Sequence, residues 1–160
     1  MKTFEEIVEV VIEHEGGAKI TDIPEDAGGL TKYGISQRAY PKLDIRNLTK
    51  DQAISIYYKD YWKKAKVELL PERLWMIYFD MVVNMGRSRA TKVLQEACNH
   101  KNKNQIQVDG KLGKNTAKAS QKVEYKRVQS FRVKFYADLI HRKPTQIKFW
   151  YGWYKRAILT

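Results

Sequence analysis

The sequence predicts a mainly α-helical protein with one small β or loop region near residues 18–35, and three observations carry that prediction. Apolar residues recur at the 3.6-residue helical spacing through most of the chain. Helix-start signals precede those segments: Thr3 with Glu6, Thr49 with Gln52, and Pro71 at a first turn. Gly16, Gly17, Gly28, Gly29, Gly34 and Pro24 cluster in the one stretch that lacks helical period.

Thr3 and Glu6 form a capping box ahead of a helix expected from about Phe4 to Glu15. Phe4, Ile7, Val8 and Val11 hold its apolar stripe, and position 15 continues the series. A carboxylate therefore stands where a core residue is expected. It lies in the last turn before Gly16-Gly17, a helix stop, partly buried and at the negative end of the helix dipole. Such a place suits a general acid. The plain alternative is a Glu fraying into solvent, and the local pattern leaves both open.

Residues 18–35 read as loop with short extended pieces around Lys19-Ile20 and Leu30 to Tyr33. Ser36 is expected to cap a short helix through Ala39, ended at Tyr40 by Pro41. Thr49 with Gln52 caps a longer helix to about Lys64, whose Ala53, Ile54, Tyr57, Tyr58, Tyr61 and Trp62 form an apolar-aromatic face. Such a stripe is core by default, although Tyr and Trp also line sugar clefts. After Pro71, Leu74, Ile77, Tyr78, Met81, Val82 and Met85 keep period throughout, so this segment is expected to be the central core helix. Asp80 and Asn84, four apart, lie together beside that face. They are either a solvated edge or the flank of a cleft.

A further helix is expected from Ser88 to about Asn99, with Cys98 on its apolar face, then a polar loop from His100 to Gln105. Val108-Asp109-Gly110 makes a turn feeding a helix that Asn115 or Thr116 helps to start. A long helix from about Glu124 to His141 is expected to turn Val128, Phe131, Phe135, Leu139 and Ile140 inward and Arg132 elsewhere. Thr145 is expected to cap a last helix carrying Phe149, Trp150, Trp153 and Tyr154.

The 160 residues, 43% of them hydrophobic, suit one compact domain or a domain with a small dependent part. Thirty Lys and Arg against eighteen Asp and Glu leave +12, which calls for an anionic partner: nucleic acid, anionic lipid or an acidic cell-wall polymer. One cysteine excludes an intrachain disulfide framework. There is no phosphate loop or dinucleotide fingerprint, Asp22 with Asp26 lacks calcium-loop spacing, and His14, His100 and His141 are scattered. No metal and no cofactor is expected.

Glu15-Gly16-Gly17, followed by Asp26-x-Gly28-Gly29-x-Thr31-x-x-Gly34-Ile35, resembles the N-terminal signature of glycoside hydrolase family 108. Phe79-Asp80-x-x-x-Asn84-x-Gly86 is again similar to that family. The Asp109-Gly110 turn with Leu94-Gln95 is similar to its C-terminal peptidoglycan-binding module, and the ending Phe149-Trp150-x-Gly152-Trp153-x-x-Arg156 resembles the family's close. The resemblance implies a lysozyme-like fold and cleavage of the β-1,4 bond after N-acetylmuramic acid. Glu15 would be the general acid, Asp26 the base that activates a water, and Thr31 the residue holding that water. Gly29, Tyr33, Tyr58, Asp80 and Asn84 would touch substrate. Residues 1–86 would form the catalytic part and 87–160 the binding part, packed as one globule.

Peptidoglycan and an anionic wall or envelope surface are the expected partners, with no nucleic acid and a monomeric state. The first residues, Met-Lys-Thr-Phe-Glu-Glu, lack the apolar run of a signal peptide. The expectation is a phage or prophage endolysin made in the host cytoplasm and released through a separate pore. The rival reading is a non-catalytic basic binding protein, a wall-binding phage piece or a nucleic-acid binder.

Overall fold

Thr3 caps the first helix, α1 (Phe4–His14), through the predicted reciprocal box: Glu6 N–H donates to the Thr3 hydroxyl, and Thr3 N–H donates to the Glu6 carboxylate at 2.8 Å. The computed structural model describes residues 2–22, 29–100, 103 and 105–160. Within these the protein is mainly helical, in keeping with a lysozyme-like fold, and it divides into two compact units, 2–60 and 61–160.

In the first unit, Ile7, Val8, Val11 and Ile12 bury the inner face of α1. A two-stranded antiparallel hairpin follows, β1 (Thr31–Lys32) and β2 (Ile35–Ser36), pairing Thr31 with Ser36 and Lys32 with Ile35. Thr21 joins it by exchanging backbone bonds with Thr31 at 3.0 and 2.8 Å. The extended piece is therefore longer than expected on its C-terminal side. The short helix expected from Ser36 does not form. Ser36 does accept a bond from Ala39 N–H, but its backbone belongs to β2, and the Gln37 amide takes up the carbonyls of Tyr40, Pro41 and Leu43, so the chain folds as successive turns. The Thr49–Gln52 capping box starts α2 (Lys50–Ile56). The single helix expected to Lys64 instead changes pitch, continuing as a π-helix over Tyr57–Lys63.

In the second unit, Trp62 is buried against Trp75 and Phe79 in edge-on contacts. A 3-10 turn, Glu72–Leu74, leads into α3 (Trp75–Met85), the expected core helix, with Ile77, Tyr78, Phe79, Met81 and Val82 buried. Gly86 closes it, and α4 (Arg87–Asn99) begins at once. Tyr78 and Thr91 share a buried hydroxyl bond of 2.8 Å between the two helices. Cys98 is the buried thiol expected, and burial pushes it up to about 11.

Gln95 of α4 organises the following turn: its amide donates to Asp109 and Thr116, and its carbonyl oxygen accepts from Gly110 N–H. Thr116 is thereby a partner of Gln95 and does not cap α5 (Lys114–Ser120), whose cap position is Gly113. Likewise Thr145 does not cap the end of the chain; a 3-10 turn, Pro144–Phe149, starts there with proline at its head and runs into the last helix.

The long helix α6 (Tyr125–Arg142) buries Val128, Gln129, Arg132 and Tyr136, and so corrects the expected inward set. Phe131, Phe135, Leu139 and Ile140 are only half-buried. Arg132 is inside because Asp80 of α3 is inside. Arg132 Nη2 donates to Asp80 Oδ2 at 2.6 Å, and Arg156 of the last helix, α7 (Trp150–Leu159), donates to Asp80 Oδ1 at 2.8 Å. Two buried or half-buried cations on one buried carboxylate hold α3, α6 and α7 together. Removing one member would leave charge stranded in low dielectric.

Candidate active site

Glu15 is the residue after α1, its backbone N–H still donating to Val11 and Ile12 carbonyls, and its side chain is half-buried. The helix stops because Gly16-Gly17 reverses the chain, with Gly17 N–H donating to Ile12 O at 2.9 Å. Gly17 O then accepts from Tyr33 N–H at 3.0 Å, which ties the end of α1 to the hairpin turn.

That turn has two residues, Tyr33 (φ 52°) and Gly34 (φ 75°), both left-handed, as a two-residue hairpin turn of the primed type requires. Tyrosine in this conformation is strained. The strain is held by Tyr57, whose hydroxyl donates to Tyr33 O at 2.9 Å, and Lys32 Nζ lies 5.5 Å over the Tyr33 ring. Gly34 packs edge-on against the catalytic candidate. A methyl group there would stand 2.7 Å from Glu15 Cβ and 2.9 Å from Cγ and would collide with the Tyr57 hydroxyl. Glu15 is thus clamped between a helix end and a hairpin turn, and Tyr57 supports the clamp from behind.

The hairpin brings Thr31, Tyr33 and Gly29 into the same unit as Glu15. The Thr31 hydroxyl donates to Gly29 O at 3.1 Å, so its oxygen keeps lone pairs for a further donor. Asp26 and Gly28 lie outside the described residues. Tyr58 is not part of this cluster. Its ring meets Phe4 edge-on at 5.0 Å, eleven residues and about 16 Å of helix from Glu15. Its neighbour Tyr57 does the supporting work instead, and the change of pitch at Tyr57 is the feature that marks the place, since π segments gather at functional sites.

Residues 8–86 match the family described as glycosyl hydrolase 108, and residues 89–158 match the one described as a predicted peptidoglycan domain. The solved structure of SagA from Brucella abortus is similar, at 28% identity over 96% of this chain and 88% of that one, with a TM-score of 0.76. No curated protein matches the chain. Residues 8–86 belong to the glycosyl hydrolase 108 family. The protein is therefore a glycoside hydrolase that acts on peptidoglycan, with peptidoglycan as a binding partner.

Within the glycosyl hydrolase 108 part, the motif residues Glu15 and Gly34 come together at the turn of the hairpin that Thr31 begins, whereas Asp80 does different work from that expected of a glycan contact. Asp80 is 0% exposed, its carboxylate on Arg132 and Arg156, where a glycan does not reach it. Asn84 Oδ1 accepts from the Tyr136 hydroxyl at 2.5 Å and lines a cavity of about 380 Å³ with Arg89, Arg142 and Trp153.

Proposed function

We propose that the chain is an N-acetylmuramidase, hydrolysing the β-1,4 bond between N-acetylmuramic acid and N-acetylglucosamine. Glu15 donates its proton to the glycosidic oxygen as the C–O bond breaks, so the leaving sugar departs as an alcohol. Asp26, assigned from its place in the motif, takes a proton from a water as that water's oxygen bonds to the anomeric carbon. Thr31 accepts a hydrogen bond from the same water. Attack by a held water inverts the anomeric carbon, so the first-formed sugar is the α-anomer, and a β product read early by NMR would contradict this route.

The observation that carries the reading is the clamp on Glu15. A half-buried glutamate whose Cβ and Cγ are fixed against Gly34 is pre-positioned for a proton transfer whose geometry must hold in the transition state. Residues 1–86 supply the chemistry and 87–160 hold the wall. The cellular role that fits is a monomeric phage or prophage endolysin, made in the host cytoplasm and released by a separate pore. Expressed alone it then leaves cells intact, and lysis without any pore would contradict that route.

The direct test is clearing of purified cell walls. The parent protein is expected to lower their turbidity and Glu15→Gln to leave them standing, with both variants folded by circular dichroism. A non-catalytic binder would leave walls intact in both cases.

A further inference from the structure

The last helix, α7, is docked through one face and apolar on the other. On the docked side, Arg156 meets Asp80, Ala157 is 0% exposed, and the Trp153 ring stacks on Tyr136 at 5.1 Å. The Gln129 amide donates to the carbonyls of Ala157, Ile158 and Thr160 at 2.9, 3.2 and 3.3 Å, fixing the end of the helix. Nothing more is needed to hold it. Yet the outward face carries Tyr151, Tyr154 and Ile158 at positions i, i+3 and i+7, exposed by 75%, 41% and 45%. Ile147, 58% exposed in the preceding turn, extends the line, and Leu159, 66% exposed, lies beside it. Exposed apolar residues are ordinary singly; a continuous line of them on a rigid helix marks an interaction surface.

The charge around that line identifies the partner. Asp138 is the last acid in the sequence, and residues 139–160 contain Arg142, Lys143, Lys148, Lys155 and Arg156 with no Asp or Glu. Lys148 and Lys155 are exposed next to the apolar line, and Lys148 Nζ lies 5.0 Å over the Phe149 ring, its stem on apolar surface and its charge at the edge. An exposed face of aliphatic and tyrosine side chains with lysines beside it matches what an amphipathic helix presents to a bilayer surface. A hydrated glycan offers no place for Ile147, Ile158 and Leu159, and a second copy would bring like charges together. No helix among the described residues is long and apolar enough to cross a membrane, so the contact is a surface one.

We propose that the outward face of α7, with the turn before it, binds the surface of an anionic lipid bilayer. The proposal uses none of the residues assigned to the glycan chemistry and does not depend on the muramidase reading. The test uses the full chain with vesicles of phosphatidylglycerol and phosphatidylethanolamine, and with vesicles of phosphatidylcholine alone. Co-sedimentation with the anionic vesicles only, with a blue shift of tryptophan emission, is expected. Tyr151→Glu with Ile158→Glu should abolish it, and Lys148→Gln with Lys155→Gln should weaken it on the order of thirtyfold. Glu15→Gln, which should no longer clear cell walls, should still bind the anionic vesicles, so failure of the lipid contact and failure of the hydrolase reading are told apart. The proposal is overturned by no vesicle binding, by equal binding to phosphatidylcholine, by vesicle binding that survives the Glu substitutions, or by a parent dimer that those substitutions dissociate.

Discussion

Glu15 and Asp80 occupy similar places in the sequence, each an acid on or beside the apolar stripe of a helix, yet the two units of the molecule treat them in opposite ways. In the first unit Glu15 sits at a helix end, half-buried, with its Cβ and Cγ packed against Gly34 of the hairpin turn. In the second, Asp80 is in mid-helix, 0% exposed, and saturated by two arginines. An acid that exchanges protons with a substrate must be held without being sealed. An acid that ties helices together is sealed, because pairing in low dielectric is strong only when both charges are satisfied.

The sharpest way to break this comparison is to neutralise each acid without changing its shape. Glu15→Gln should lower wall clearing by at least about a hundredfold, the low end of what a positioned general acid supplies, while the urea midpoint stays where it was. Asp80→Asn should do the reverse. It strands the Arg132 and Arg156 charges and should cost about 3–5 kcal/mol of stability by urea titration, with activity per folded molecule retained. Equal effects on stability from the two variants would dissolve the distinction.

A pH titration sharpens the picture of the second unit. Burial raises the Tyr78 phenol from 10.0 to about 12, and its bond to Thr91 lowers it only in part. A group whose folded value is raised contributes stability that is complete below the unfolded value and is lost as pH rises towards the folded one. Tyr78 alone should therefore take about 3 kcal/mol from the unfolding free energy between pH 10 and 12. Burial also raises Cys98, Tyr125 and Tyr136, so Tyr78→Phe should reduce the alkaline fall and leave the part these groups contribute. An alkaline limb identical in parent and Tyr78→Phe would remove Tyr78 from the account.

In the first unit the smallest of these changes is a single methyl. Gly34→Ala adds a Cβ at positive φ against Glu15 and the Tyr57 hydroxyl and should cost about 1–3 kcal/mol, with a loss of clearing activity that thermal melts alone do not explain. Tyr57→Phe, which frees the Tyr33 carbonyl, should cost about 1 kcal/mol and relieve part of the Gly34→Ala collision. If Gly34→Ala clears walls at the parent rate, the clamp is not what positions Glu15.

Much of this was legible in the sequence where the determinants are local. The capping boxes at Thr3 and Thr49, the apolar period of α3 and the Gly16-Gly17 stop each act within a few residues, and each appears where expected. The hairpin was harder to see because its turn is Tyr33-Gly34 and not Asn-Gly; the strained tyrosine is tolerated only because Tyr57, twenty-four residues on, holds its carbonyl. Arg132 was assigned to the wrong side of α6 for the same kind of reason. Its burial depends on Asp80, fifty-two residues earlier, and no local pattern records such a partner. Tyr57 and Tyr58 lie on one aromatic stripe, and the local pattern does not say which of them reaches the hairpin; the Tyr57 hydroxyl does, at Tyr33 O.

The central claim is that Glu15 drives cleavage after N-acetylmuramic acid, and the reducing ends of a wall digest test it most directly. Walls digested by the parent protein, reduced with borohydride and read by mass spectrometry, should yield fragments ending in reduced N-acetylmuramic acid, and walls treated with Glu15→Gln should yield almost none. Fragments ending in reduced N-acetylglucosamine, or muramic ends released equally by Glu15→Gln, would contradict it.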